Sequence, residues 1–310
     1  MKPLKKLRNN QVIMNLIVAS LIFLSAFLHV SWNTLGKKRT PSAAFFFTAS
    51  FASVLVLFPV LLILGFDFSI YWKVWIYLLF SGFFQSVYYS GLAGAYRTGE
   101  MSITYPLARA LPVLFVPFVS FLAGSTEGLT FYSLLGMFVV FAGCLILPQK
   151  TLSRLSFKEY FKVYTLFAVL AAVGTTGYTF LDSSAMNIIR NTEGDSILSA
   201  VFYFTVQMIF VSIFLGLYIL INKVEQKELF TILKKEKFPT IAAGLMVAAA
   251  YVIILICYPM VTHVSYVTAF RQISIPLGAF TGMFFLKEKW SAPKILGVLV
   301  IFIGLLIVYL

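Results

Sequence analysis

Three ionisable side chains stand where a charge is expensive. Arg109, Arg271 and Asp182 each lie within a stretch that is otherwise apolar, and a charged group near the centre of a bilayer costs roughly 3 kcal/mol or more unless it faces protein or water. A guanidinium group offers a planar fork of donors that matches carboxylate, phosphate or phosphonate, so the chemistry these arginines suggest is anion recognition. A single intramembrane arginine reads as readily as a structural group, paired with Asp182 or with carbonyls freed by nearby prolines. One aspartate cannot neutralise two arginines.

Polar and aromatic residues in the same stretches complete a candidate binding set. His29, Trp32 and Asn33 fall at i, i+3 and i+4 and share one helix face. Tyr105 stands one turn before Arg109, Gln272 follows Arg271, and Tyr88 lies beside Gln85 and Tyr89. The expected substrate contacts are Arg109, Arg271, His29, Trp32, Asn33, Tyr105, Gln272 and Tyr88. Asp182 and His29 are the candidates for proton coupling. Pro106, Pro112 and Pro117 punctuate the Arg109 segment and Pro276 interrupts the Arg271 segment; each removes a backbone donor, which marks either a break beside a binding site or a fixed kink that shapes packing.

Enzymatic readings find little to rest on. The sequence has two histidines, His29 and His263, and lacks His-Glu-x-x-His, Gly-x-Ser-x-Gly and a Walker loop. No catalytic residue, cofactor or metal is expected. Cys144 and Cys257 both lie in apolar stretches, as packing residues rather than a disulfide pair.

The elements that must position these residues follow from composition. Of 310 residues, 60% are hydrophobic and only 11% charged, with a mean hydropathy of +0.94, which excludes an ordinary soluble domain. The net charge of +13 comes from 24 Lys+Arg against 11 Asp+Glu, but the basic residues cluster between apolar runs and form no stripe suited to nucleic acid. The runs are continuous rather than alternating, which favours helices over a membrane barrel. Ten spans are expected, near 12–35, 42–65, 72–96, 101–122, 129–148, 162–186, 196–222, 239–259, 264–286 and 291–310. The basic amino terminus imitates a secretory signal, yet its apolar run is too long and lacks a cleavage pattern, so it reads as a retained first helix.

The sequence also repeats. A shift of 161 residues lays Glu127 on Glu288, Leu135-Gly136 on Leu296-Gly297, Gly143 on Gly304 and Leu145-Ile146 on Leu306-Ile307; one further residue lays Arg109 on Arg271. Five helices per copy is an odd number, so the second copy enters the bilayer from the opposite side, and the duplication is inverted, with residues 1–150 and 151–310 as its halves. Arginines at matching positions of such a repeat approach the central axis from both sides. The paired glycines read as close helix packing, and Glu127 and Glu288 as caps at the entrance of the helix that follows each. Placing both termini outside puts the larger basic count in the cytoplasm, although the basic flank of the first helix favours the opposite orientation.

The ten spans in two halves, each closing on Glu, Gly and Gly at fixed spacing, together with His29-Val-Ser-Trp-Asn33 and Tyr105-Pro-Leu-Ala-Arg109, resemble the EamA-type branch of the drug/metabolite transporter superfamily over nearly the whole chain. That resemblance implies an all-α inner-membrane secondary transporter with a central cavity. Its members move amino acids, sugars, organic phosphates, drugs or lipid-linked precursors. The chain departs from the four-helix multidrug pumps of the superfamily, because its first apolar run, 11–36, carries no carboxylate. The expectation is transport of a small anionic metabolite by alternating access. Export of hydrophobic or aromatic compounds, and flipping of a lipid-linked anion, are the alternatives. The expected partners are that small molecule and the lipid bilayer, with a homodimer left open and no nucleic acid.

Overall fold

The computed structural model describes residues 2–39, 41–67, 69–122, 130–153, 156–193, 197–257 and 271–308. Among them are eleven α-helices and no strand: α1 (Lys2–Lys38), α2 (Ala43–Ile63), α3 (Trp72–Thr98), α4 (Met101–Leu122), α5 (Phe131–Ile146), α6 (Val163–Glu193), α7 (Ile197–Ile221), α8 (Lys223–Thr231), α9 (Lys237–Cys257), α10 (Ser274–Phe284) and α11 (Ala292–Val308). A π-helical turn, Ile232–Glu236, joins α8 to α9. Five stretches, Leu16–Lys38, Ala43–Ile63, Val163–Met186, Ile197–Ile221 and Lys223–Ile254, are long and apolar enough to cross a membrane, and α5, α10 and α11 are shorter apolar helices. The protein is a multi-pass, all-helical membrane protein. Glu127 and His263 lie outside the described residues, as does the first part of the expected span 264–286.

Two departures from the sequence reading have simple causes. Residues 223–238, expected as a connection, are helical, because their lysines and glutamates are good helix formers and Asn222 caps α8 by accepting from Val224 N and Glu225 N. The Arg109 segment, by contrast, is one continuous helix through Pro106, Pro112 and Pro117, compatible with prolines that shape packing rather than break the helix. The Arg271 segment does break, but at a turn over Gln272 and Ile273 rather than at Pro276. Pro276 sits in the first turn of α10, where its missing N–H would have had no intrahelical partner, and the Gln272 carbonyl instead accepts from Ile275 N at 2.9 Å.

Close packing is achieved where glycines remove side chains. Gly136 faces Gly304 and Val308, while Gly143 faces Gly297 and Ile301, so α5 and α11 run antiparallel with their backbones in contact. The α3–α6 contact uses Gly91 against Ala171 and Gly174 against Tyr88 in the same way. Serines add bonds between helices: Ser25 Oγ donates to Ala250 O at 2.7 Å and Ser53 Oγ to Gly244 O at 2.8 Å. In a lipid environment such small-residue contacts supply association that the hydrophobic effect cannot.

One end of the bundle is sealed by charges. Glu225, buried, accepts from Ala44 N at the start of α2 and pairs with Arg97 at the end of α3. Lys37 Nζ donates to the carbonyls of Tyr96 and Gly99, and buried Lys294 pairs with Glu100. Glu288 accepts from Met101 N at 2.6 Å and Ser102 N at 2.8 Å. It therefore caps a helix as expected, but that helix is α4, remote in sequence, rather than α11 just after it. Its reach depends on Lys287, the one non-glycine residue with positive φ (56°) among the described residues. A left-handed residue with a Cβ costs about 1–2 kcal/mol, partly offset in any glycine variant by the greater unfolded-state freedom of glycine. Lys287→Gly is expected to stabilise by about 0.5–1 kcal/mol, read as a small rise in the thermal midpoint; a fall would mean that the lysine side chain contributes more than its backbone strain costs.

Candidate functional site

Four of the expected site residues, His29, Trp32, Tyr88 and Tyr105, belong to one aromatic cluster of α1, α3 and α4, and a fifth, Arg109, bonds from α4 to the start of α10. The His29 ring makes an edge contact with Trp32, centroids 5.0 Å apart, and lies 6.2 Å from Tyr105 of α4. Trp32 continues into an aromatic wall, edge-on to Phe46 at 6.0 Å and to Tyr89 at 6.2 Å, with Phe46 and Tyr89 stacked at 4.8 Å. Tyr88 joins the wall through Tyr89 at 5.1 Å and Tyr178 at 6.0 Å. Gly278 of α10 leaves the space that the Tyr105 ring fills.

Both arginines bear on this group. The charges of Arg109 and Arg271 act on His29, Tyr105 and Tyr178. Arg109 Nη2 donates to Ser274 Oγ at 3.3 Å, tying α4 to the first residue of α10. Neither arginine takes part in the ion pairs of the described residues. The helix break at Gln272–Ile273 separates Arg271 from Ser274, and irregular backbone at membrane depth is tolerated where it is buried in protein or lines a wet cavity.

Buried polar atoms usually have partners, and each exception asks for a reason. Among the described residues six buried side-chain atoms have none: His29 Nε2, Trp32 Nε1, Ser102 Oγ, Tyr105 Oη, Arg109 Nε and Gln272 Oε1. Five of the six belong to the expected site. They include two obligate donors, Trp32 Nε1 and Arg109 Nε, and one acceptor, Gln272 Oε1.

Two expected residues are engaged elsewhere. Asn33 spends its amide within the protein: Nδ2 donates to His29 O at 2.6 Å and Oδ1 accepts from Tyr96 Oη at 2.6 Å. It fixes α1 against α3 and thereby the face that carries His29. Asp182 pairs with neither arginine; it accepts from Ser81 Oγ at 2.5 Å, Tyr203 Oη at 2.6 Å and Gln207 Nε2 at 3.1 Å. Tyr178, one turn earlier on α6, joins Tyr88 of the aromatic wall at 6.0 Å. Ser274, Tyr96, Ser81, Tyr203 and Gln207 escaped the sequence reading. Their only signal was polarity inside an apolar run, which Ser and Tyr share with ordinary helix packing.

No family model matches the chain, and none of the curated proteins compared with it does. It is similar in fold to a protein of known crystal structure, with a TM-score of 0.57 and 16% sequence identity over 94% of this chain and 95% of that one. The likeness is one of architecture and spans essentially both molecules.

Proposed function

We propose that this protein is a secondary transporter of the EamA type, moving a small anionic metabolite, a carboxylate, organic phosphate or phosphonate, across the inner membrane by alternating access. The observation that carries the reading is the pair of arginines. They come from corresponding positions of the two sequence repeats, act on the same histidine and tyrosines, and neither appears in an ion pair among the described residues. An anion held between them, with Trp32, Tyr105, His29 and Gln272 completing its hydrogen bonds, would satisfy the site.

The inverted repeat, ten helices in halves 1–150 and 151–310, is supported by reciprocity. Gly136 and Gly143 of α5 correspond to Gly297 and Gly304 of α11, and the contacts run Gly136 to Gly304 and Gly143 to Gly297, the exchange that a two-fold axis imposes. α2 packs on its counterpart α7, and α4 on its counterpart α10, as halves related by an axis in the membrane plane would.

A thermal-shift screen of the purified protein tests the reading, because a ligand that binds only the folded state stabilises it by mass action. Carboxylates, phosphates or phosphonates are expected to raise the midpoint, by about 2.7 kcal/mol of stabilisation at a hundredfold excess over Kd, while neutral analogues do not. The aromatic wall of Trp32, Phe46, Tyr88 and Tyr89 favours a second reading, export of neutral aromatic compounds; stabilisation by these and by no anion would replace the first. In vesicles the ligand so found should respond to a pH gradient if Asp182 or His29 carries the coupling proton, and flux indifferent to the gradient excludes that role.

A further inference from the structure

The structure assigns a second binding site, for an anionic phospholipid, to the outward face of α8. Lys223, Gln226, Lys227, Phe230 and Thr231 recur at i, i+3, i+4, i+7 and i+8, one helix face, and line a cavity of about 480 Å³ open to the surroundings. The opposite face is anchored in the protein: Glu225 is held by Ala44 N and Arg97, Ile232 is fully buried and Leu229 packs on the core. That anchoring fixes which side chains point outward.

Position and charge decide the occupant. α8 starts one residue after α7, whose last residues, Leu220 and Ile221, expose large apolar side chains, so the lysines emerge where the apolar belt ends. Five lysines, Lys223, Lys227, Lys234, Lys235 and Lys237, fall within fifteen residues. With Glu225 spent on Arg97, only Glu228 and Glu236 oppose them, both half-buried. A basic cluster of this size beside a transmembrane helix attracts anionic lipid, each lysine contributing favourably near the surface. Exposed apolar groups, Val224, Phe230, Leu233 and Phe238, alternate with the lysines, and Lys234 and Lys237 lie over the rings of Phe230 and Phe238 at 5.9 and 5.2 Å. A free phosphate would gain nothing from those groups. A phospholipid gains from both: its phosphate meets Lys223 and Lys227, with the second N–H of Gln226 donating beside the one that Leu220 O accepts, while its glycerol and acyl chains cover Phe230 and Val224. The site is independent of what the protein transports.

Native mass spectrometry of the purified protein, titrated with phosphatidylglycerol and separately with phosphatidylcholine, tests this. The wild type is expected to retain phosphatidylglycerol in preference to phosphatidylcholine, and Lys223→Gln/Lys227→Gln to lose roughly tenfold or more of that affinity. A control, Lys150→Gln/Lys158→Gln, removes exposed lysines elsewhere and should bind as the wild type does. On the unaltered protein, raising the salt concentration should weaken retention, since exposed charges are screened within about 10 Å at 0.1 M. Equal retention of the two lipids, retention unchanged in the α8 variant or by salt, or inorganic phosphate bound to the same site as tightly as phosphatidylglycerol would each overturn the assignment.

Discussion

Replacing either arginine with glutamine should reduce anion affinity by roughly a hundredfold or more, because a buried charge-assisted contact contributes on the order of 2–5 kcal/mol. Arg109→Gln and Arg271→Gln should behave alike if both grip one ligand. Arg109→Lys should fall between, since it keeps the charge and loses the fork. Stability supplies the discriminating measurement. An arginine that ties the bundle together leaves a partner unsatisfied when removed and lowers the melting midpoint. Arg109 gives the bundle one 3.3 Å bond to Ser274, and neither arginine appears in an ion pair of the described residues. Removing such a charge from membrane depth relieves a cost of roughly 3 kcal/mol or less after snorkelling and hydration. The ligand-free variants should therefore melt at or above the wild-type temperature while losing the ligand-induced shift, the trade that functional sites make against stability. A marked drop in the ligand-free midpoint with the anion shift retained would make the arginines structural.

The sequence reveals most where polarity and membrane disagree. Arg109 and Arg271 announce themselves because nothing else charged shares their stretches, and His29, Trp32 and Tyr105 follow from helical spacing. The structure puts the rings of His29, Trp32 and Tyr105 next to one another and bonds Arg109 to the first residue of α10. Which acidic group serves which cation is not legible, because ion pairing and capping depend on elements far apart in sequence: Glu288 caps α4, and Glu225 holds the start of α2 and the end of α3. Asp182 shows the same limit. Its charge suggests an arginine partner, and its hydrogen bonds come instead from Ser81, Tyr203 and Gln207 on neighbouring helices. α8 was hidden for a different reason, since a charged amphipathic helix at a membrane surface has the composition of a connection.

On the transporter reading, the charged end acquires a mechanical meaning. Lys294 with Glu100, and Glu288 with the first residues of α4, join the first half of the chain to the second at that end. Opening at that end requires these contacts to part. Each is a bond between a charge and a partner that water can replace once exposed, so the cost of parting falls as the end hydrates. The strained backbone of Lys287, next to Glu288, lies where such a change would be absorbed.

The seam between α5 and α11 should tolerate little enlargement. A Cβ added at Gly143 would meet Ile301 N and Cγ1 at 2.7 Å and Gly297 O at 2.9 Å, and one at Gly297 would meet the Leu147 backbone at 2.8 Å. Those neighbours are mainly backbone, which cannot rotate aside, so even a methyl group must push the helices apart. Gly143→Ala is expected to cost about 1–3 kcal/mol, the usual range for overpacking, despite the roughly 1 kcal/mol that alanine gains in helix propensity. Gly143→Leu and Gly297→Leu should fail to give a monodisperse folded protein. Gly216 of α7 supplies the contrast. A Cβ there meets only the Phe47 ring, at 3.4 Å or more, so Gly216→Ala keeps the propensity gain and should stabilise by up to about 1 kcal/mol. Thermal unfolding and size-exclusion profiles of the four variants in one detergent would check this. Because Gly143 and Gly297 face each other across one seam, Gly143→Leu and Gly297→Leu should do similar damage; a seam that tolerates one and not the other would contradict that close backbone contact.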